Sequence, residues 1–311
     1  MADPDDPPCL KKGIGLGIVR NISRRLTRRE GEHERLEQTV APVQKHVSGG
    51  GSRSVMGLQL ELEPGGESDL EYVPTGIPEL DEALGGGFIR GKTYLVAGET
   101  GSGKTIFSIQ YLLYGAMNGE PGVYIAIDEP TEQLTRGLKR FGWDVTELVR
   151  EGKLLFLDMR THFSKVYLHD ERRRIEPRFV IESILRNVKK IKAKRLVIDP
   201  IAPLIYGGTP SDILYAREFL REMVFAIERQ GNITTIMTSE IPTGSRQLSR
   251  FGVEEFLATG IIVLSLEEIN GRVERILYIR KARWAPVRPA KYIFEIETGK
   301  GIVIKGPLTG L

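Results

Sequence analysis

The run Gly98-Glu99-Thr100-Gly101-Ser102-Gly103-Lys104-Thr105 constrains this chain more than any other stretch. It satisfies G-x-x-x-x-G-K-[ST] at every fixed position, and the physical demands behind that pattern are narrow. Glycines let successive backbone N–H groups converge on phosphate oxygens, and a helix starting at the loop's end adds its N-terminal dipole. The flanks agree with this. Thr93 to Ala97 (TYLVA) reads as a buried strand, and Phe107, Leu112 and Leu113 carry a helix beyond the loop. The expectation is a phosphate-binding loop in which Lys104 reaches the β- and γ-phosphates of a nucleotide and the Thr105 hydroxyl holds Mg²⁺.

The chain around the loop supports an α/β sheet. From about Tyr72 onward, short runs rich in Val, Ile and Leu alternate with amphipathic stretches. GVYIAI (Gly122 to Ile127), KLLFLD (Lys153 to Asp158), RLVID (Arg195 to Asp199) and NITTIMTS (Asn232 to Ser239) read as further buried strands. Phe179, Val180, Ile184, Val188 and Ile191 form an apolar helical stripe between two of them. Leu220, Met223 and Ile227 form another, with Ser211 or Asp212 as its N-cap. Strand, helix, strand in that order predicts a mainly parallel sheet with helices on both faces. The last fifty residues read differently. GIIVLS, VERILYIRKARW, KYIFEIE and GIVIKG are strands with short connections, and Asn270-Gly271 is a hairpin signal, so an antiparallel extension is expected.

Two acidic positions fit nucleotide chemistry. Leu196-Val197-Ile198-Asp199 is an apolar strand ending in a carboxylate, and Asp199 is the expected second Mg²⁺ residue, although an Asp before Pro200 also suits a plain turn. Asp128-Glu129 follows the next strand after the loop's helix, where open α/β sheets place ligands. Glu129 is the candidate base that orients water, with Asp128 beside it; the same acids also suit the start of a helix.

Residues 1–70 look unlike the rest and are read as a flexible or partly disordered segment, with 71–311 as the folded domain. Arg24, Arg25, Arg28 and Arg29 cluster there, and SGGGS at 48–52 is spacer-like. Basic stripes touch nucleic acid or anionic lipid in some proteins, but a solvated, partly helical tail is the preferred reading. The balance of 44 Lys and Arg against 41 Asp and Glu is too even to mark a nucleic-acid binder by charge. Cys9 has no internal partner, and His33, His46, His162 and His169 have no metal-ligand spacing. No apolar run is long enough to span a membrane, and the acids and prolines of the first residues do not make a secretory signal. A cytoplasmic protein is expected.

Taken with these residues, TGIPELDEALGGGFIRG (Thr75 to Gly91), FSIQYLLYGAMNGEPGVYIAIDEP (Phe107 to Pro130), LKRFGWDV, LVREGKLLFLD, TTIMTSE and FGVEEF make the chain resemble the RecA-like P-loop ATPases, specifically the KaiC family. The resemblance runs from about Val73 to Ile304 and implies a RecA-like core. It also implies an ATP-binding, Mg²⁺-dependent ATPase. The family's paired catalytic acids fall on Asp128 and Glu129; the first is usually Glu. Its sensor strand ends at Thr238 and Ser239, and Ser239 is carried over as nucleotide-binding together with residues 98–105. ATP in this family sits between subunits, so a homo-oligomeric ring, with a hexamer as one size, is implied. The family's K-x-R pair, reaching across from the adjacent protomer, falls on Lys281-Ala282-Arg283. Read without the family, Lys281 and Arg283 share one solvated strand face. Trp284-Ala285-Pro286 departs from the small polar residues that usually follow at the family's sugar- and base-contacting position. Only one ATPase module fits, and no residues support transfer of the autokinase activity of the double-module clock proteins.

Three functions compete on these observations. The favoured one is a nucleotide-driven oligomeric regulator that hydrolyses ATP and changes its hold on a protein partner. A nucleotide-gated module with little turnover would not need Glu129, Asp199, Lys281 and Arg283 together. A recombinase-like DNA-binding ATPase would use Arg246 and Arg250 in the loop IPTGSRQLSR, but that loop lacks aromatic residues for base stacking, so DNA is not favoured.

Overall fold

Along each central strand, successive side chains enter two different cores, and that alternation sets the architecture. The computed structural model describes residues 70–159, 177–204, 210–242, 247–285, 287 and 290–308. Arg24, Arg25, Arg28, Arg29, Cys9, the 48–52 spacer, all four histidines, Arg246 and Pro286 lie outside the described residues. The order of elements is β1 (Tyr72–Val73), α1 (Pro78–Ala83), β2 (Phe88–Ile89), β3 (Thr93–Gly98), α2 (Lys104–Met117), β4 (Gly122–Ala126), α3 (Thr131–Arg140), α4 (Thr146–Arg150), β5 (Leu154–Asp158) and α5 (Pro177–Lys190). Then follow β6 (Arg195–Asp199), α6 (Pro210–Glu228), β7 (Thr234–Glu240), α7 (Glu254–Leu257), β8 (Gly260–Ile269), β9 (Arg272–Ala282), β10 (Ala290–Glu297) and β11 (Gly301–Pro307).

A 9-stranded sheet has the order β11-β10-β9-β8-β3-β7-β6-β4-β5. The strands from β8 to β5 in that order pair in parallel, whereas β9, β10 and β11 pair antiparallel. On β3, Tyr94 and Val96 join the core that holds Phe107, Tyr111 and Leu112 of α2, while Leu95 and Ala97 join the core under α5 and α6. Both faces are therefore apolar, which is why the strands read as continuous hydrophobic runs rather than alternating ones.

The hairpin at Asn270-Gly271 forms as expected, with φ of 53° and 75°, the two positive values that a two-residue I′ turn needs. Three details differ from the sequence reading. GIIVLS lies within β8, which pairs in parallel with β3 and carries the antiparallel extension on its other edge. Phe179 is exposed, and Ile181 joins Val180, Ile184 and Val188 on the buried face of α5. That face follows the angle at which α5 meets the sheet, which spacing alone does not give. Helix α6 starts at Pro210, so Ser211 and Asp212 fall inside its first turn rather than before it.

One buried ion network ties the edges of this unit together. The Arg195 side chain, 1% exposed, donates from Nε to Glu120 Oε2 at 2.7 Å and from Nη1 to the carbonyls of Pro74 and Tyr111, each at 2.8 Å. Its guanidinium also lies over the Tyr111 ring, 4.5 Å from the centroid. Arg90, following β2, pairs with the other oxygen of Glu120 and with Glu71. Space for Arg195 comes from Gly115 on α2, where a Cβ would stand 2.3 Å from the Arg195 Cδ and Nε. Burial pushes the Glu120 carboxyl up, but the hydrogen bonds and charges of Arg195 and Arg90 outweigh it and hold the group below its usual value.

Removing Glu120 takes from the buried Arg195 the carboxylate that its guanidinium is hydrogen-bonded to. Glu120→Ala is expected to cost about 3–5 kcal/mol, read as a loss of denaturant midpoint at pH 7. Because the folded-state pKa is depressed, the stabilisation is present above the ordinary carboxylate value of about 4.3 and is lost as pH falls through the lower folded value. Wild type and Glu120→Gln should therefore converge in stability as the buffer is acidified.

Candidate active site

The loop after β3 is built by close backbone approach. Gly98 ends the strand, and a Cβ there would stand 2.3 Å from the Leu264 carbonyl oxygen of β8 and 2.5 Å from Ser102 Oγ, so only glycine fits. Gly103, just before α2, has φ of 111°, in the left-handed region that glycine tolerates. Between them Glu99, Thr100, Gly101 and Ser102 complete the turn, closed by a bond from Ser102 N–H to the Glu99 carbonyl at 3.2 Å. Lys104, the first residue of α2, donates from Nζ to the carbonyls of Gly98 and Glu99, both at 2.9 Å. Burial pushes its pKa down, against the charges of Glu240, Asp199 and Glu99, which favour the ammonium.

Asp199 lies at the end of β6 and is nearly buried. Three hydroxyls converge on it. Thr105 Oγ1 of α2 donates to Oδ2 at 2.9 Å, Tyr124 of β4 donates to the same oxygen, and Thr238 of β7 donates to Oδ1. The parallel registers explain this meeting: Ala126 pairs with Asp199, and Ile198 pairs with Met237, so Tyr124, Asp199 and Thr238 all face α2. Burial, and next the Asp199 charge, push the Tyr124 phenol well above its ordinary value, so it remains a donor to the carboxylate.

Above these groups is a cleft of about 200 Å³ lined by Thr100, Gly101, Lys104, Thr105, Tyr124, Asp128, Glu129, Asp199 and Glu240, with Leu134 and Pro200 on its apolar side. Asp128 is exposed and Glu129 half-buried, both on the turn between β4 and α3. Oxygen donors from Thr105 and Asp199, 2.9 Å apart beside the phosphate loop, fit a hard divalent ion. No cluster of three or more acidic, His or Cys ligands occurs among the described residues.

Of the expected residues, the structure brings Thr100, Gly101, Lys104, Thr105, Asp128, Glu129 and Asp199 to one cleft. It does not bring Ser239 there. Ser239 alternates with Thr238 on β7 and so points to the opposite face, where its hydroxyl donates to Glu254 Oε1 at 3.4 Å. Lys281 and Arg283 are also elsewhere. Lys281 Nζ donates to the carbonyls of Glu255 and Ala258 at 2.8 and 2.7 Å, and Arg283 Nη2 to that of Phe256 at 3.4 Å. Lys281 pairs with Ile261 near the start of β8, whereas the phosphate loop follows Gly98, which pairs with Leu264 further along.

Sequence reasoning missed Tyr124 and Glu240 as cleft residues. Tyr124 lies two positions before Ala126 on the strand next to Asp199, and a period-two count along GVYIAI would have aligned it with the functional face. Glu240 directly follows the sensor pair, and its charge faces Lys104 across the cleft.

The comparisons agree with this geometry. Residues 73–309 match the family model described as "ATPase: KaiC". A UPF0273 protein of Pyrococcus furiosus is 35% identical over 239 residues, covering 75% of this chain and 93% of the relative. The circadian clock protein KaiC3 of Synechocystis is 32% identical over 239 residues, covering 76% of this chain but 46% of that protein. Among solved structures, a KaiC-like protein from Pyrococcus horikoshii superposes with a TM-score of 0.62 at 38% identity, covering 76% of this chain and 99% of that one. No described helix is long and apolar enough to cross a membrane. With a RecA-type sheet, a phosphate loop and a match to one family module over residues 73–309, this chain belongs to the KaiC ATPase family and is ATP-binding.

Proposed function

We propose that this protein is an Mg²⁺-dependent ATPase that works as a homo-oligomeric ring, with ATP bound between neighbouring protomers and its turnover controlling the hold on a protein partner. In this reading residues 71–311 are the ATPase domain, 1–70 an appended segment, and the protein acts in the cytoplasm. One observation carries the oligomer. Lys281 and Arg283 sit near the start of β8, while the phosphate loop leaves the far end of β3. Lys281 is level with Leu95 and Arg283 with Thr93, which at about 3.3 Å per residue is about 10 and 16 Å back from Gly98, and both cations are held on α7 carbonyls; in this reading they serve a neighbour's cleft rather than their own.

The chemistry assigned to each residue follows from the cleft. Lys104 and the loop N–H groups hold the β- and γ-phosphates, and Thr105 and Asp199 supply oxygens for the metal. Mg²⁺ bound with the nucleotide supplies positive charge that the lining lacks, since Asp128, Glu129, Asp199 and Glu240 oppose Lys104 alone. Glu129, half-buried beside the loop, orients water and accepts its proton, with Asp128 next to it. Lys281 and Arg283 of the neighbour stabilise charge that develops on the phosphates. Thr238 rather than Ser239 takes the sensing position, because its hydroxyl lies on the Asp199 side of β7.

Two measurements test this. Glu129→Gln should lower kcat about 100-fold or more while ATP affinity stays within about twofold; wild-type turnover in that variant would remove Glu129 from the mechanism. ATPase rate per subunit, measured with Mg²⁺ against protein concentration, should climb and then saturate. Lys281→Ala/Arg283→Ala, inactive by itself, should regain activity when mixed with Glu129→Gln, because the second variant lends intact cations to the first variant's intact clefts. Absence of that recovery would refute action in trans.

A further inference from the structure

Glu254 is fully buried, and its hydrogen bonds among the described residues come from neutral groups. Ser249 Oγ donates to Oε2 at 2.8 Å, the Val253 N–H to the same oxygen at 3.1 Å, and Ser239 Oγ to Oε1 at 3.4 Å. A carboxylate held this way is costly, because neutral partners offset only part of the lost hydration. Its position gives it a use. On one side it is bonded to Ser239, whose chain neighbour Thr238 donates to Asp199 at the cleft. On the other it begins α7, the short helix whose last carbonyls receive Lys281 and Arg283. Glu255, next in the chain, reinforces the same joint by accepting from the Leu248 N–H at 3.0 Å, and its Oε1 lies 3.1 Å from Ser249 Oγ, so the one Ser249 proton is shared between the two carboxyl groups.

We propose that Glu254 is a positioning residue that couples the two ends of one protomer. Through Ser239 it ties α7 to the strand that closes the protomer's own cleft, and through α7 it sets the place of the cations that serve the next cleft. This rests on the trans reading given above and deepens it. Burial, and then the nearby Arg283 charge, push the Lys281 pKa down against the opposing Glu255 charge, while the carbonyls of Glu255 and Ala258 hold its Nζ in place. A shift of α7 would loosen both cations at once, because their acceptors are three residues of one short stretch. A change in the Thr238–Asp199 contact would then reach the neighbour's site through the β7 backbone to Ser239, its hydrogen bond to Glu254, and the α7 carbonyls that hold the cations.

The test uses the mixing experiment with a modified donor. Glu129→Gln protomers, whose own clefts do not turn over, are mixed with Lys281→Ala/Arg283→Ala protomers, and the recovered ATPase rate is measured. The donor is then replaced by Glu129→Gln/Glu254→Gln, with sedimentation and thermal melting confirming that it folds and assembles. If Glu254 places the cations, recovery falls about tenfold or more, since small misplacements of catalytic groups carry large rate penalties. A role confined to the donor's own cleft cannot lower recovery, because that cleft is already inactive. Equal recovery with both donors overturns the proposal and leaves the trans reading intact. No recovery with the unmodified donor overturns the trans reading, and this proposal with it. Should Glu254→Gln fail to assemble, Glu129→Gln/Ser249→Ala decides: deletion of one hydroxyl from the joint should lower recovery several-fold, and undiminished recovery overturns the proposal.

Discussion

Asp199 is the point on which the functional half of this structure depends. It receives hydroxyls from α2, β4 and β7, three elements separated widely in the chain. Hydrogen bonds to a charged acceptor contribute roughly 1.5–3 kcal/mol each, so the carboxylate is a structural junction as well as a metal candidate. Its position at the C-terminal end of β6, beside the phosphate loop, follows from parallel pairing, which puts the ends of all these strands on one edge. A sheet with antiparallel pairing in this region would send neighbouring strands the other way and scatter the same residues. Within the 9-stranded sheet the antiparallel strands lie beyond β8, where Phe294, Ile302 and Ile304 add to the core around α2 and Ile296 packs beside Gly103 of the phosphate loop.

The Arg195–Glu120–Arg90 network does a corresponding task at the opposite edge. Arg195 begins β6, so the same strand carries a buried cation at one end and a nearly buried carboxylate at the other. The guanidinium satisfies carbonyls of Pro74 and Tyr111, and Glu120 bridges it to Arg90 beyond β2. In this way the stretch from Thr75 to Gly91, which the sequence marks strongly, is held to the sheet. Within it, the Asp81 carboxylate accepts from the Thr75 and Gly76 N–H groups at 2.6 and 3.3 Å and fixes the entry into α1. Family-typical residues far from the cleft thus have a stabilising account of their own.

Much of this was legible from short stretches. The phosphate loop, the core strands, the Asn270-Gly271 hairpin and the acidic strand end at Asp199 are written in contiguous residues, because their physics is local: glycine conformational freedom, strand burial and turn geometry. The residues that were not legible depend on register. Thr238 and Ser239 are adjacent hydroxyls, and nothing local says which one meets Asp199; pairing of Ile198 with Met237 decides it. Tyr124 looks like another buried strand residue until β4 and β6 are aligned. Phe179 looks like a core residue until the roll of α5 is known, and it is exposed.

By itself, then, the sequence determined that this chain is a P-loop α/β protein of KaiC type, and it marked the loop at 98–105 and the acids at 128, 129 and 199 as candidates for its nucleotide site. Those features are sufficient because each is a local motif whose chemistry tolerates few substitutes. Only the tertiary structure decided which face each strand residue serves, that Arg195 is a buried cation needing Gly115 and Glu120, and that Lys281 and Arg283 rest on the end of α7 rather than in their own cleft. These are long-range facts. They follow from strand register and helix docking, where a shift of one residue exchanges the two faces of a strand while leaving every local motif unchanged.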